Sequence, residues 1–288
     1  MDRTARIDRA LGEALTRATA SPCPARLAEA IHYAVFPGGG RVRPALCLAV
    51  ADACGARASE LADAAAVAVE LLHCASLVQD DLPCFDDAAM RRGRPSLHKR
   101  YDEETAILVG DTLIVMAFRA VATQISTNPA GCAEILLVLS EAAGAPSGIA
   151  AGQAWESEPW VDIEAYHHAK TAALFEAAAA GGAIAGGADP SAWRLTGGLL
   201  GEAYQIADDL ADALGETVRL GKPVHKDGDK LRPSVVSKSG TEGARRKLDE
   251  LLAQATQSIP PCAGRKDVEA FLSLTAERLC PPALRVAR

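Results

Sequence analysis

The feature that most constrains this chain is its division by turn signals into apolar segments rich in alanine and leucine, with no strand-like alternation between them. Alanine and leucine lose little side-chain freedom on entering a helix, so such segments favour helices. Long helical patterns cover 102–124, 129–143, 162–185 and 190–215, and no segment between them is long or polar enough to be a domain linker. The sequence therefore predicts an all-α protein of ten or more helices that forms a single domain over residues 1–288.

Composition and charge exclude several kinds of partner. The 288 residues carry a formal net charge of −7 and are 49% apolar, which is enough for a sizeable core. A nucleic-acid partner is excluded because no basic tail or Lys/Arg block interleaved with aromatic residues is present. Because no run of about 20 uncharged apolar residues occurs and the N-terminus is polar, we expect no membrane span and a cytoplasmic location. The eight cysteines form no Cys-x-x-Cys pair and are interpreted as free thiols.

An acidic cluster follows the apolar helix predicted before residue 80. It reads Asp80-Asp81-Leu82-Pro83-Cys84-Phe85-Asp86-Asp87. Asp80 and Asp86 are six positions apart and do not share a face of an ideal helix, so Pro83 must unwind the chain for both to reach one cation. Asp87 competes with Asp86 for that role. A polar loop after a helix explains the cluster equally well when it is taken alone, so both interpretations stay open.

A second acidic cluster, Asp208-Asp209-Leu210-Ala211-Asp212, lies inside a strongly helical segment. Asp208 and Asp212 are four positions apart and share one face, where like charges repel. Their apolar neighbours do not fit a generic solvated surface. Magnesium prefers hard oxygen ligands and bridges to phosphates, so it would explain this arrangement. The alternative is an acidic helix end on the surface.

Cationic residues accompany both acidic clusters. Arg91-Arg92-Gly93-Arg94 follows the first cluster, and Arg41-Val42-Arg43 follows three glycines at 38–40. Guanidinium groups match diphosphate oxygens bidentately, and glycines let backbone N–H groups approach a phosphate. Lys170-Thr171 lies in an alanine-rich helical pattern, and Gly221-Lys222 follows the second cluster. Together these features predict a site for magnesium and a diphosphate.

The motifs and their order along the chain resemble those of the trans-isoprenyl diphosphate synthases (polyprenyl synthetases). Among these, they resemble the bacterial geranylgeranyl diphosphate synthases of carotenoid and chlorophyll pathways. The resemblance covers about residues 30 to 235. It is carried by Gly38–Pro44, which is similar to Gly-Gly-Lys-Arg-x-Arg-Pro, and by Asp80–Asp87 with Arg91-Arg92-Gly93, Gly152-Gln153, Lys170-Thr171, Tyr204–Asp212 and Gly221-Lys222. It implies a helical bundle around a deep central cavity, assembled as a homodimer.

The resemblance also implies a reaction and the residues that perform it. Such an enzyme binds three Mg²⁺ ions and joins isopentenyl diphosphate to an allylic diphosphate. Carried onto this chain, the metal ligands are Asp80, Asp81, Asp86, Asp208, Asp209 and Asp212. The residues that bind the allylic diphosphate are Arg91, Lys170, Thr171, Gln205 and Lys222. Those that bind isopentenyl diphosphate are Arg43, His73 and Arg92. Metals and cationic side chains stabilise the charge on the departing diphosphate, which also serves as the base, so no protein base is required.

In this family the product length depends on what blocks the floor of the cavity. The small residues Ala75 and Ser76, with Leu72 deeper, imply room for geranylgeranyl diphosphate, the 20-carbon product. The alternatives are a 15-carbon farnesyl diphosphate synthase and a non-catalytic subunit of a heteromeric synthase. Gly40 stands where most relatives have lysine, which removes one cation from the isopentenyl site, and His225 stands where glycine is usual.

Overall fold

The computed structural model describes residues 2–56, 59–160, 162–213 and 235–279. More than ten helices lie within these ranges, which confirms the all-α prediction. They are α1 (Arg3–Ala18), α2 (Ala25–Val35), α3 (Val42–Ala53), α4 (Glu60–Asp80), α5 (Leu97–Arg100), α6 (Glu103–Ala122), α7 (Pro129–Ala143), α8 (Ile149–Ala154), α9 (Ile163–His167), α10 (Ala173–Ala185), α11 (Pro190–Ala213), α12 (Val235–Gln257) and α13 (Arg265–Leu279). A 3₁₀ turn (Trp155–Ser157) follows α8, and a π-helical segment (His168–Ala172) joins α9 to α10.

Side-chain caps set the starts of the helices that carry or support the site. The hydroxyl of Ser59 accepts a hydrogen bond from the Ala62 N–H at the start of α4. Asp102 accepts from the Thr105 N–H in the same way before α6. Each cap satisfies a backbone donor that has no partner within its helix. Local sequence therefore determines where these helices begin.

Helix α4 lies at the centre of the core. Both of its faces are buried, from Leu61 to Val78, and it packs against α3, α6 and α10. Alanine-rich α10 approaches α3 so closely that a Cβ atom at Gly182 would lie 2.3 Å from the Cys47 carbonyl oxygen. Close packing of this kind leaves little freedom to shift. The last turn of α4, which carries the first acidic cluster, therefore has a well-defined position.

A small β-hairpin contradicts the expectation that strands are absent. Strands β1 (Met90–Arg91) and β2 (Arg94–Pro95) pair antiparallel, with Arg91 opposite Arg94. The turn between them consists of Arg92 and Gly93, whose φ angles are 54° and 76°. Two residues with positive φ form the tight connection that suits the twist of a hairpin. Strands of two residues are too short to produce an alternating pattern in the sequence.

Among the described residues, two helices are long and apolar enough to cross a membrane by length and hydropathy. The relevant stretch of α4 is 78% buried inside the protein, and core helices meet the same criteria. The corresponding stretch of α6 is 44% buried, and Asp111 and Arg119 interrupt it. Its outer face exposes Ile107, Leu108 and Val115.

Candidate functional site

A cavity of about 760 Å³ opens beside the C-terminal turn of α4. The N-terminus of α3, the hairpin, α8, the π-helical segment and α11 complete its wall. It brings together most of the predicted site residues and several that were not predicted. The lining includes Arg43, Glu70, His73, Ser76, Asp80, Arg91, Arg92, Gln153, Lys170, Thr171, Tyr204, Gln205 and Asp208.

The first acidic cluster turns back on itself after α4. Asp80 is the last residue of the helix, and the Asp86 N–H donates to the Asp80 carbonyl oxygen at 3.0 Å. This bond returns Asp86 to the helix end despite the six-residue spacing. The chain leaves the helix at Asp81, ahead of Pro83, as the spacing required. The prediction that the chain unwinds here is therefore confirmed.

Asp86 and Asp87 occupy different environments. Lys99 Nζ donates to Asp87 Oδ1 at 3.0 Å on the exposed side of the loop. This hydrogen bond holds the pKa of Asp87 below its usual range. Asp87 has a positive φ of 44° and is not among the residues that line the cavity. The contact with Lys99 argues against Asp87, but Asp86 does not line the cavity either, so the choice between them as a metal ligand stays a prediction.

Arg91 bridges the two adjacent aspartates. Its Nε donates to Asp81 Oδ1 at 3.0 Å, and its Nη2 donates to Asp80 Oδ2 at 3.1 Å. Burial alone would lower the pKa of Arg91, but hydrogen bonds and charge from Asp81 and Asp80 outweigh that effect and raise it. In this structure the guanidinium therefore neutralises the carboxylates of the first acidic cluster.

Asp80 also carries an orphaned buried atom. Its Oδ1 accepts no hydrogen bond from the described part of the chain, and Lys170 Nζ lies 3.9 Å away. A buried carboxylate oxygen without a partner is costly, and a hard divalent cation would satisfy it. Asp80 therefore fits magnesium. Within the described ranges no three His, Cys, Asp or Glu residues are grouped as a metal site.

In the second acidic cluster, the described side chains of Asp208 and Asp209 point to different roles. Asp208 lines the cavity. Asp209 is buried and accepts from Gln205 Nε2 at 2.9 Å and from the Val235 N–H at 3.2 Å, so it ties α11 to the start of α12. These contacts give Asp209 a structural role, and its metal role stays a prediction. The side chain of Asp212 and all of Lys222, His225 and the loop between α11 and α12 lie outside the described residues.

The π-helical segment presents Lys170 and Thr171. Helix α8 approaches it so closely that a Cβ atom at Gly152 would lie 2.6 Å from the Lys170 backbone nitrogen. The Lys170 ammonium contacts the Glu156 carboxylate, to which the Tyr166 hydroxyl also donates at 2.8 Å. Short π-helical segments next to α-helices are frequent at functional sites. Glu156 and Tyr166 were missed from the sequence because neither belongs to a recognised motif.

Thr171 and Gln153 complete this wall. The Thr171 hydroxyl donates to Gln205 Oε1 at 2.7 Å, which links the π-helical segment to α11. The Gln153 side-chain nitrogen is buried at the cavity and has no hydrogen-bond partner among the described residues. An unpartnered donor in this position is suited to an oxygen-rich ligand.

Arg43 has an aromatic environment. Its guanidinium carbon lies 4.4 Å from the centre of the Phe175 ring and 5.6 Å from that of Tyr204. Its Nη1 is 3.5 Å from His73 Nε2, and its Nε has no hydrogen-bond partner in the described part of the chain. Burial lowers the pKa of Arg43 from its ordinary value. The ring faces support the cation without neutralising it, as suits a group that binds an anion.

The glycines at 38–40 line the cavity, and two of them also make room for arginine side chains. A Cβ atom at Gly38 would overlap the Arg41 guanidinium, and one at Gly39 would lie 2.8 Å from Arg92 Nη2. Arg41 is fully engaged: its Nη1 donates to Glu70 at 2.6 Å, with Asp8 3.1 Å from its Nε. Arg41 lines the cavity, but buried Glu70 and the more exposed Asp8 already pair with its guanidinium, so its part in phosphate binding stays a prediction.

The predicted chain-length residues lie at different depths. Ser76 lines the cavity, one turn before Asp80. Ala75 and Leu72 are 1% and 2% exposed and lie in the packed core, not among the lining residues. Their effect on product length therefore stays a prediction.

The fold and the site together define a class: a helical bundle in which carboxylates and arginines face one cavity. The chain belongs to the polyprenyl synthetase family, whose model matches residues 24–264. This match confirms the resemblance inferred from the motifs.

Individual relatives are similar to this chain over nearly its full length. The geranylgeranyl diphosphate synthase of Cereibacter sphaeroides is 48% identical over 276 residues, 96% of this chain and 96% of that protein. The Rhodobacter capsulatus protein of the same name is 48% identical over 95% of each chain. A geranyltransferase from Helicobacter pylori, solved with magnesium and isoprenyl diphosphate, superposes with a TM-score of 0.78 at 27% identity, covering 96% of this chain and 98% of that one.

Proposed function

We propose that this protein is a magnesium-dependent prenyltransferase that condenses isopentenyl diphosphate with allylic diphosphates and makes geranylgeranyl diphosphate as its main product. The observation that carries the proposal is the shared cavity, in which Asp80 and Asp208 meet Arg43, Arg91 and Lys170. The name of relatives 48% identical over nearly the whole chain supports the same activity.

The metal-binding half of the cavity would hold the allylic diphosphate. Asp80, Asp81 and Asp86 are proposed to hold two magnesium ions, and Asp208 a third, with Asp209 and Asp212 nearby. When bound, the ions would neutralise negative charge on the diphosphate. The chain supplies Arg91 and Lys170 as further cations, and Thr171 with Gln205 as a polar pair beside them. Lys222 is proposed to complete this set from outside the described residues.

The other half would hold isopentenyl diphosphate through Arg43, Arg92 and His73, all of which line the cavity. The bond between the allylic C1 and its diphosphate oxygen breaks, and the isopentenyl double bond supplies the electrons for the new carbon–carbon bond. A proton then leaves the isopentenyl unit for the released diphosphate. The described cavity wall contributes donors and cations that stabilise the departing charge.

A direct assay tests the activity. The protein is incubated with magnesium, isopentenyl diphosphate and, separately, the 5-, 10- and 15-carbon allylic primers, and product length is measured. A 20-carbon main product is expected. Absence of elongation with every primer would instead favour the non-catalytic subunit.

Product length has its own test at Ala75 and Ser76. Because Ala75 is buried behind the wall and Ser76 lines it, Ala75→Tyr and Ser76→Phe should both shorten the main product to 15 carbons. The second variant remains informative if the first is too crowded to fold. A 20-carbon main product from both variants would contradict this part of the proposal.

We also propose that two copies associate through α6 and that the enzyme acts in the cytoplasm. Ile107, Leu108 and Val115 on the outer face of α6 are 50%, 55% and 66% exposed. A large exposed apolar face is typical of an association surface. Leu108→Lys should convert a dimer into a monomer in light scattering, whereas a monomeric wild-type protein would contradict the assembly.

A further inference from the structure

The hairpin that carries Arg91 and Arg92 has an unfavourable turn. Arg92 adopts a φ of 54°, and Gly93 follows at 76°. Tight turns of this kind favour asparagine or glycine at the first central position, because other side chains are strained there. Arginine at this position therefore needs support from the surrounding structure. That support comes from α2.

Tyr33 on α2 and Arg94 on β2 form this support. The Arg94 guanidinium carbon lies 4.0 Å from the centre of the Tyr33 ring, and its Nη2 donates to the Tyr33 carbonyl oxygen. In return, the Tyr33 hydroxyl donates to the Pro95 carbonyl oxygen at 2.7 Å. The ring of Tyr101 packs edge-on against Tyr33 with the centroids 5.9 Å apart. Strand β2 is thus attached to α2 by two hydrogen bonds and one stacked cation.

The two arginines before Gly93 depend on this attachment to different degrees. Arg91 is held independently, because Asp81 and Asp80 accept its hydrogen bonds. Arg92 stands at the turn, and its guanidinium lies against the backbone of Gly39, close enough that a Cβ atom there would clash. The position of Arg92 relative to Gly39 therefore depends on where α2 holds the hairpin.

We propose that Arg94 and Tyr33 are positioning residues for the isopentenyl diphosphate site: they hold the hairpin turn so that Arg92 faces Gly39 at the cavity. This inference rests on the proposed function, which assigns Arg92 to that substrate. Neither Arg94 nor Tyr33 lines the cavity. They act through Arg92, and their loss should weaken one substrate more than the other.

The test compares the two Michaelis constants in the full-length protein. Arg94→Ala should raise the KM for isopentenyl diphosphate about tenfold, because both the stacked cation and the carbonyl hydrogen bond are lost. The KM for the allylic substrate should change less than about twofold, because the aspartates still hold Arg91. Arg94→Lys should recover only part of the affinity, since a single ammonium cannot replace a planar fork over the ring.

Tyr33→Phe provides a milder variant. It keeps the ring and the backbone carbonyl but removes the hydroxyl that donates to Pro95, so the KM for isopentenyl diphosphate should rise about threefold. Combined with Arg94→Ala, it should add less than the two single effects predict, because both residues act on one attachment. If Arg94→Ala does not fold, Arg94→Lys and Tyr33→Phe still test the inference.

Arg100→Ala is the matched control. Arg100 also lies over a tyrosine ring, 5.9 Å from the centre of Tyr101, but it belongs to α5 rather than the hairpin. It should leave both constants unchanged. Equal changes in both constants for the Arg94 variants, or lower thermal stability with both constants unchanged, would overturn the inference. Failure of the wild-type protein to elongate any primer would overturn the proposed function instead.

Discussion

Arg91 and Arg43 face the same cavity but have opposite electrostatic environments. Arg91 donates to Asp80 and Asp81, so its charge is already balanced within the protein. Arg43 lies over Phe175 and Tyr204, and it forms no hydrogen bond with a carboxylate in the described part of the chain. Both are largely buried, where an unbalanced charge is costly. The cost is met by direct carboxylate partners at Arg91, whereas at Arg43 the charges of Glu70 and Asp208 offset it only in part.

The difference matches the two proposed substrates. The half around Arg91 is proposed to accept metal ions together with a diphosphate, for which the carboxylates of Asp80 and Asp81 would be needed. The half around Arg43 is proposed to take a diphosphate without metal ligands of its own. A cation held by aromatic faces keeps its attraction for such an anion.

Loss of an acidic ligand should have the largest effect. Asp80→Asn removes charge from the atom that has no hydrogen-bond partner in the described structure, and kcat/KM should fall about 1,000-fold. Asp87→Asn is the matched control in the same cluster, since Lys99 holds Asp87 outside the cavity. Its activity should stay within about twofold of wild type. Equal losses in the two variants, measured in the elongation assay, would contradict the distinction between them.

Loss of the unbalanced cation should rank second. Arg43→Gln should lower kcat/KM for isopentenyl diphosphate about 100-fold, the usual size of a lost charged hydrogen bond in a buried site. The KM for the allylic substrate should remain close to that of the wild type. Initial rates are measured with each substrate varied in turn. An equal rise in the KM for isopentenyl diphosphate and the KM for the allylic substrate would mean that the two halves of the cavity do not act separately.

Without magnesium, replacing Arg91 and replacing Arg43 should change the free energy of unfolding in different ways. Arg91→Met leaves Asp80 and Asp81 buried without their cation, so the free energy of unfolding should fall by about 3 kcal/mol. Arg43→Met removes a buried charge that lacks a carboxylate partner, so the free energy should rise or stay unchanged. Urea titrations of both variants provide the comparison, and a loss of similar size in both would refute it.

The smallest effect concerns His168, two residues before Lys170. Its Nε2 lies 3.0 Å from Glu176 Oε1, and this hydrogen bond raises the pKa of His168. A raised pKa in the folded state means that the stabilisation is fully present below the unfolded value of about 6.5 and is lost as pH rises through the folded value. Because the pair is partly exposed, it contributes about 0.5 kcal/mol.

The measurement is the melting temperature of the wild type minus that of His168→Gln at pH 6 and at pH 9. The difference should be larger at pH 6. A constant difference would mean that the pair does not titrate in this range. Arg194→Gln, which breaks a surface ion pair with Glu141, is the control because that pair contains no histidine.

Local chemistry made much of the fold predictable. The helix predicted over 129–143 has those bounds, because Asn128 caps it and Pro129 suits its first turn. The hairpin was not predictable, because its strands have two residues each. The motifs located the cavity wall, yet Glu156 and Tyr166 beside Lys170 gave no signal, since their roles depend on how α8 meets the π-helical segment.

The sequence by itself determined the helical class, because helix formation depends on local propensity. It also determined the family, because the family is defined by the motifs and their order along the chain. Tertiary structure alone decided which groups are already satisfied. Arg41 and Arg43 are two residues apart, but Glu70 and Asp8 balance the first, while aromatic rings hold the second. Likewise, Lys99 pairs with Asp87, and the backbone of Asp86 returns to that of Asp80. Such partners lie up to tens of residues away, and only helix packing brings them within hydrogen-bonding distance.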